Sequence, residues 1–164
     1  MSIISSMLAE FEHENTTTRK VLERVPEDKF GWKPHEKSWT LAQLASHVAS
    51  VPSWAAPVVT DTKLELSPDF KPFVATTRKA LLEYWEGNVA AAKKALSSIS
   101  DSDLMVNWKM VAGGQTIIDQ PRAAVLRGVI FNHGIHHRGQ LSVYLRLLNV
   151  PVPAMYGPSA DEAG

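Results

Sequence analysis

The residues of this sequence best able to do chemistry are its histidines: His13, His35, His47, His133, His136 and His137. The dense group lies in Phe131-Asn132-His133-Gly134-Ile135-His136-His137-Arg138-Gly139-Gln140. At about 100° per helical residue, His137 falls about 40° from His133, and Leu126, Ile130, Tyr144 and Leu148 share that arc. Both rings therefore belong to the apolar face, one turn apart. Two imidazoles on such a face have four ring nitrogens to satisfy. Residues i and i+4 lie about 5–6 Å apart at Cβ, so the two rings could converge on one cation. The plainer alternative is a pair of hydrogen-bonded core histidines. A transition-metal site built from imidazoles normally wants a third ligand, and the candidate is His47, within Leu44-Ala45-Ser46-His47-Val48. It sits at the border of its own apolar arc, beside Leu44, Val51 and Trp54. Periodicity alone leaves it between ligand and border residue. His136 reads as a boundary residue at the edge of the arc, and His13 and His35 as solvated.

Other polar residues share the buried stripes. Gln140 and Tyr144 lie close to His133 on the last helix and are candidate pocket-lining catalytic residues. Asn15 and Thr18, between Phe11 and Leu22, read as satisfied core polar groups. The expectation is a polar, histidine-lined pocket inside an otherwise apolar bundle, which is the usual form of a ligand site. Arg138 falls about 140° from His133, which predicts a surface or interface role. Gly134 costs about 1 kcal/mol against Ala in mid-helix, and its expected use is to let another backbone approach.

Four stretches carry the periodicity needed to position these residues. The first places Ile4, Met7, Leu8, Phe11, Leu22 and Val25 on one arc and is closed by Pro26. The second starts at Thr40, where Thr40-Leu41-Ala42-Gln43 has the form of a capping box, and runs to Pro52 or, kinked, to Trp54. The third begins near Pro72 and carries Leu81, Trp85, Val89, Ala92, Leu96 and Ile99. The fourth runs from Pro121 to about Asn149. Residues 27–39 form an aromatic-pinned connection, and residues 55–71, with Pro57 and Pro68, a long crossover loop. Trp108–Val111 and Gln115–Ile118 flank Gly113-Gly114 and predict a short β-hairpin before the last helix. The tail from Val150 to Pro158 must be extended. These readings predict an all-α four-helix bundle forming one domain over residues 1–164.

Composition narrows the function. With 164 residues, 45% of them hydrophobic, the chain can build a core without help from a metal or a disulfide. It has no cysteine, so thiolate metal sites and cysteine nucleophiles are excluded. Seventeen Lys+Arg balance seventeen Asp+Glu, which argues against nucleic acid. No apolar run approaches the ~18 residues a membrane span needs, and Met1-Ser2-Ile3-Ile4 lacks the features of a signal peptide. The expectation is a cytoplasmic protein whose partner is a small-molecule substrate, with no nucleic acid and no membrane.

As a set, the residues resemble the DinB/YfiT-like superfamily of metal-dependent enzymes. The matching features are Ser38-Trp39-Thr40-Leu41 followed by His47, then His133-x-x-x-His137-Arg138-Gly139-Gln140-Leu141, then the tail from Leu147 to Glu162. The resemblance implies an up-down-down-up bundle, a divalent metal held by His47, His133 and His137, and a homodimer. Characterised branches of that family are transferases and isomerases dependent on low-molecular-weight thiols such as bacillithiol or mycothiol. The family's name refers to DNA-damage-inducible expression and is no sign of DNA binding.

Three neutral imidazoles leave open positions on a metal, as catalytic zinc sites do. Bound water would become a usable hydroxide, giving a hydrolase; a bound thiol would become a nucleophilic thiolate, giving an S-transferase. The resemblance favours the thiol. Imidazole suits zinc, nickel, copper and iron alike, with zinc or nickel expected. Tyr144 could donate to developing charge. The competing readings are a non-catalytic metal or small-molecule binding protein and a plain structural bundle.

Overall fold

A computed structural model describes residues 2–163. Helix α1 (Ile3–Leu22) opens with Ser2 as its cap, and the Asp101 carboxylate accepts from the backbone N–H groups of Ile3 and Ile4 at 2.8 and 2.9 Å. An acidic side chain at this end satisfies orphan donors and opposes the helix dipole. Helix α2 (Leu41–Ser50) begins with the predicted capping box: Thr40 Oγ1 accepts from Gln43 N, and Gln43 Oε1 accepts from Thr40 N at 2.8 Å. At Pro52 the chain tightens into a 3₁₀ turn (Val51–Trp54) and continues as α3 (Ala55–Thr60). The second helix is therefore kinked rather than ended. Helix α4 spans Arg78–Leu96 and starts later than the expected Pro72, because the Thr77 side chain caps it.

After a single turn, α5 (Asp101–Leu104), the chain forms the predicted hairpin from β2 (Asn107–Ala112) and β3 (Gln115–Pro121). Gly113 and Gly114 both have positive φ (55° and 77°), the backbone that a two-residue hairpin turn requires. A third strand was not expected. Lys63–Leu66 (β1) pairs parallel with β2, giving the sheet order β1-β2-β3 with a bulge at Met110/Val111. The chain is thus not all-α and not a plain four-helix bundle. It is a mostly helical fold that carries a three-stranded mixed sheet. The alternation in Lys-Leu-Glu-Leu is only four residues long, lies between prolines, and finds its partner more than forty residues later. A pattern so short and non-local gives little warning in sequence.

The last helical rod is continuous but not uniform. One turn of α-helix, α6 (Arg122–Val125), widens to π-helix over Leu126–Asn132 and returns to α-helix as α7 (His133–Leu147). Helices α1 and α2 each pack against both α4 and α7. The core has two clusters. One joins Met7, Phe11, Leu96, Trp108, Ile130 and Phe131 near the sheet; the other joins Leu22, Leu41, Leu44, Leu81, Leu141 and Leu145 at the far end. His47, His133 and His137 fall where the two clusters meet along α2 and α7. No described helix is long and apolar enough to cross a membrane.

Candidate metal centre

His47 reaches the site from α2, while His133 and His137 open and continue α7. Their ring centroids lie 5.0 Å (His47–His133), 4.4 Å (His47–His137) and 4.5 Å (His133–His137) apart. One nitrogen from each ring comes within 4.8 Å of the others, so the three could hold a metal ion. The Nε2 atoms of His47 and His133 stand 2.7 Å apart, so one ring donates to the other. Displacing that proton leaves two converging lone pairs. His137 Nδ1 lies 2.7 Å from Gln140 Oε1. An amide oxygen only accepts, so Nδ1 carries the proton and the lone pair sits on Nε2. A hydrogen bond of this kind orients ligating histidines in metal sites generally. The rod is π-helical up to Asn132 and α-helical from His133, so the change of winding falls at the first of the pair. Such wide turns recur at functional sites.

All three rings favour the neutral form. Burial, followed by the neighbouring His137 and His133, pushes His47 down to about 4. Burial is also the main cause of the lowered His133, with His137 and His136 adding to it. His137 is lowered by burial and by His136, against a raising contribution from Gln140. At neutral pH each ring is therefore uncharged and keeps one lone pair, which is what a cation needs. Imidazole is a donor suited to zinc, nickel, copper and iron, so the residues fit a divalent transition metal.

The histidines are half-buried, not sunk in the core as the helical wheel predicts. The fully buried residues of α7 are Arg138, Leu141 and Leu145, and their common direction lies about 100° from His133. The histidine pair occupies the rim of that face, where clefts open. A cleft of about 480 Å³ reaches His137 past Lys37, Ser38, Gln140 and Tyr144. Another, of about 350 Å³, reaches His47 past Gln43, Phe70, Phe73 and Val74. A third, of about 250 Å³, runs from His47 and His133 to Trp54, Met110 and Ile118. Trp39 stands between the first two. Its ring stacks on His137 (5.7 Å, 23°) and meets His47 edge-on (5.0 Å, 67°).

The remaining sequence candidates divide. Gln140 touches His137, while the Tyr144 hydroxyl donates to the Trp39 carbonyl at 3.2 Å and so holds the wall of the cleft. His136 is exposed with its ring 4.8 Å from that of His137, and His13 and His35 are exposed away from the site. Asn15 and Thr18 are satisfied by backbone carbonyls of their own helix, as expected. Gly134 faces the Val51 side chain at 3.5 Å, so no close backbone approach explains it. Arg138 is not on the surface: it is 1% exposed, and its guanidinium donates to the Glu14 carbonyl, the Glu14 carboxylate, Thr18 Oγ1 and the Tyr156 hydroxyl. Helix α1 and the tail cover that side of α7, which the wheel of α7 alone could not show.

Trp39 was not among the predicted site residues. It precedes the cap Thr40 and stands five residues before Leu44, the fourth helical residue, so the two hold the positions of a hydrophobic staple and line one cleft together. That position was the available signal. Phe70 lies in the stretch read as a crossover loop, and Phe73 at the expected start of the third helix, which in fact begins only at Arg78.

The kinked second helix and the last rod of this mostly helical fold bring together three imidazoles that could hold a metal ion. The sequence matches the DinB family over residues 1–163, and the chain belongs to that family. It is 23% identical over 161 residues to the uncharacterized protein YrdA of Bacillus subtilis (strain 168), covering 97% of this chain and 91% of that one. Its fold is similar to the crystal structure of a DinB-like protein from Bacillus cereus ATCC 10987, with a TM-score of 0.71, 23% identity, and 94% and 98% of the two chains covered. The DinB-like protein YjoA of Bacillus subtilis is similar at a TM-score of 0.68 and 20% identity, over 92% and 97% of the chains.

Proposed function

We propose that this chain is a divalent-metal-dependent enzyme that joins a low-molecular-weight thiol to a small electrophilic substrate, with His47, His133 and His137 as ligands to zinc or nickel. The observation that carries this reading is the convergence of three neutral, half-buried imidazoles within 4.8 Å at the meeting of separate clefts. A divalent cation held by uncharged ligands keeps its full charge, and so supplies the acidity that turns a thiol or a water toward its anionic form.

The chain's own residues do the rest. Gln140 fixes the His137 ring through Nδ1. Trp39, held by Tyr144 through its carbonyl, shields both His47 and His137 from water. Lys37, at the cleft that reaches His137, offers positive charge to an anionic group of the thiol. Open clefts favour a catalytic over a structural site. Among the described residues, no Asp or Glu lines the clefts that reach His133 and His137, and the one carboxylate on a cleft that reaches His47 is Glu65, beside Lys63, which favours thiol transfer over hydrolysis. A thiolate that displaces a halide expels an anion stable without a proton, whereas hydrolysis of an ester or amide needs an acid for its leaving group.

The test uses untagged protein, stripped by chelation and reloaded with zinc or nickel, mixed with thiols and epoxide, halide or maleyl-type electrophiles. Thiol consumption restored by reloading and absent in His47→Ala is the expected result. Metal bound without turnover would leave a binding protein instead.

A further inference from the structure

The segment between β1 and α4 is pinned at both ends yet presents apolar side chains to the surface. At one end Leu66 pairs with Ala112 in the sheet. At the other, the buried Ala75 N–H donates to Ser46 Oγ on α2 at 2.8 Å. Pro68 sits in a turn closed by the Phe70 N–H on the Ser67 carbonyl at 3.1 Å. Between these anchors Phe70 is 60% exposed, Phe73 38% and Val74 41%. Phe73 leans on Tyr84 of α4 with ring centroids 4.1 Å apart. A large apolar group held at the surface by a fixed strap has a use that core packing does not supply.

Beneath the strap lies a cleft of about 380 Å³, walled by Trp54, Pro57, Leu64, Phe70, Phe73 and Tyr84, with His47 and Ser50 at its inner end. It shares His47, Ser50, Phe70, Pro72 and Phe73 with the cleft beside Trp39, so the two form one space that ends at the imidazoles. Its volume is in the range of small-molecule sites. Among the described residues, the only charged side chain along it is Glu65, whose carboxylate is 3.5 Å from Lys63 Nζ. No Lys or Arg lines it, in contrast to the Lys37 cleft on the other side of Trp39. Carbon-rich walls without a cation disfavour an anion and reward a flat apolar group stacked on aromatic rings.

We propose that the strap of residues 67–74 and Tyr84 form a binding subsite for the neutral, flat, apolar portion of a small molecule, lodged against Phe73 with one end at His47. In the enzyme reading above, which this assignment of the ligand as substrate rests on, that portion is the non-reacting body of the electrophile. Binding itself does not depend on the metal.

The test uses the full chain, metal-free, titrated with the neutral fluorophore N-phenyl-1-naphthylamine. Competition by 1-naphthalenemethanol and by its anionic counterpart 1-naphthoate follows, with metal content measured in parallel. One saturable site is expected. Phe73→Ala, folded by circular dichroism, should weaken binding about ten-fold, and naphthoate should compete about ten-fold less well than the alcohol. Lys94→Ala, at an exposed position of α4 outside the clefts, should leave affinity unchanged. No saturable binding, equal competition by the anion, or an unaffected Phe73→Ala would overturn the subsite. A protein that binds the fluorophore but never takes up zinc would instead remove the metal reading and leave the subsite standing.

Discussion

His137 and Arg138 are neighbours in sequence and opposites in use. Arg138 points into the seam between α7, α1 and the tail, almost wholly buried, with Glu14 and a set of oxygen acceptors around its guanidinium. The phenol of Tyr156 belongs to the same knot; burial and the Glu14 carboxylate push it up to about 12, so it remains a neutral donor. His137 points toward a cleft, half-buried, in a cluster with no counter-charge, and burial drives it to the neutral form. A buried charge with its partners in place is architecture. Neutral imidazoles gathered at a cleft, with no partner charge, are a group that could hold a metal ion.

Breaking the first half of that comparison should have the largest effect. Arg138→Ala leaves the Glu14 carboxylate uncompensated in a nearly buried place, and chemical denaturation should show a loss of about 3–5 kcal/mol. The metal held per folded molecule should not change. If stability holds while metal is lost, the two regions have been assigned the wrong way round. Next comes Gln140→Ala, which releases the His137 ring without removing a ligand. Metal titration should show affinity about ten- to a hundred-fold weaker, with little change in unfolding. Affinity equal to the wild type would reduce Gln140 to a surface residue.

Acidification sharpens the contrast without mutation. A histidine whose folded pKa lies below its ordinary value of 6.5 binds fewer protons folded than unfolded, so its contribution to stability is complete above pH 6.5 and is lost as pH falls. For His47 that window runs from 6.5 down to about 4, and His133 and His137 act in the same direction. The lowered carboxylates Glu10, Asp161 and Glu162 lose their contributions only as pH falls below the ordinary carboxylate range. Metal-free protein should therefore melt progressively lower between pH 6.5 and 4.5 in thermal scans at stepped pH. His47→Ala should flatten that slope. An unchanged slope would mean that His47 is not held neutral by its surroundings.

The smallest effect is expected at Gly134. A Cβ there would meet only Val51 Cγ1 at an ordinary 3.5 Å, so Gly134→Ala should stabilise the helix by about 0.5–1 kcal/mol and leave metal uptake intact. Destabilisation would show that α7 and the 3₁₀ turn pack more tightly than this contact implies. Chelation should lower the melting temperature without unfolding the protein at room temperature, since two apolar clusters hold the fold.

Much of this was readable from the chain, for identifiable reasons. The capping box at Thr40, the glycine turn at Gly113-Gly114 and the i, i+4 histidine pair are local patterns whose physics is complete within a few residues. The strand Lys63–Leu66 was missed because its pairing is parallel and distant. Arg138 was misplaced because a single-helix wheel measures one face, while α7 is covered on a second side by Glu14, Thr18 and Tyr156. The π-helical stretch before His133 leaves no periodic mark of its own. That His47 meets the other two rings depends on α2 packing against α7, which no local pattern shows.

The decisive measurement is the metal content of the untagged protein, purified without chelator and titrated with zinc and nickel beside His47→Ala, His133→Ala and His137→Ala. One equivalent of a divalent metal in the wild type, lost in each folded variant, is the predicted outcome. A wild type that binds none, or variants that retain it, would contradict the account and leave the three rings as a hydrogen-bonded seam between two cores.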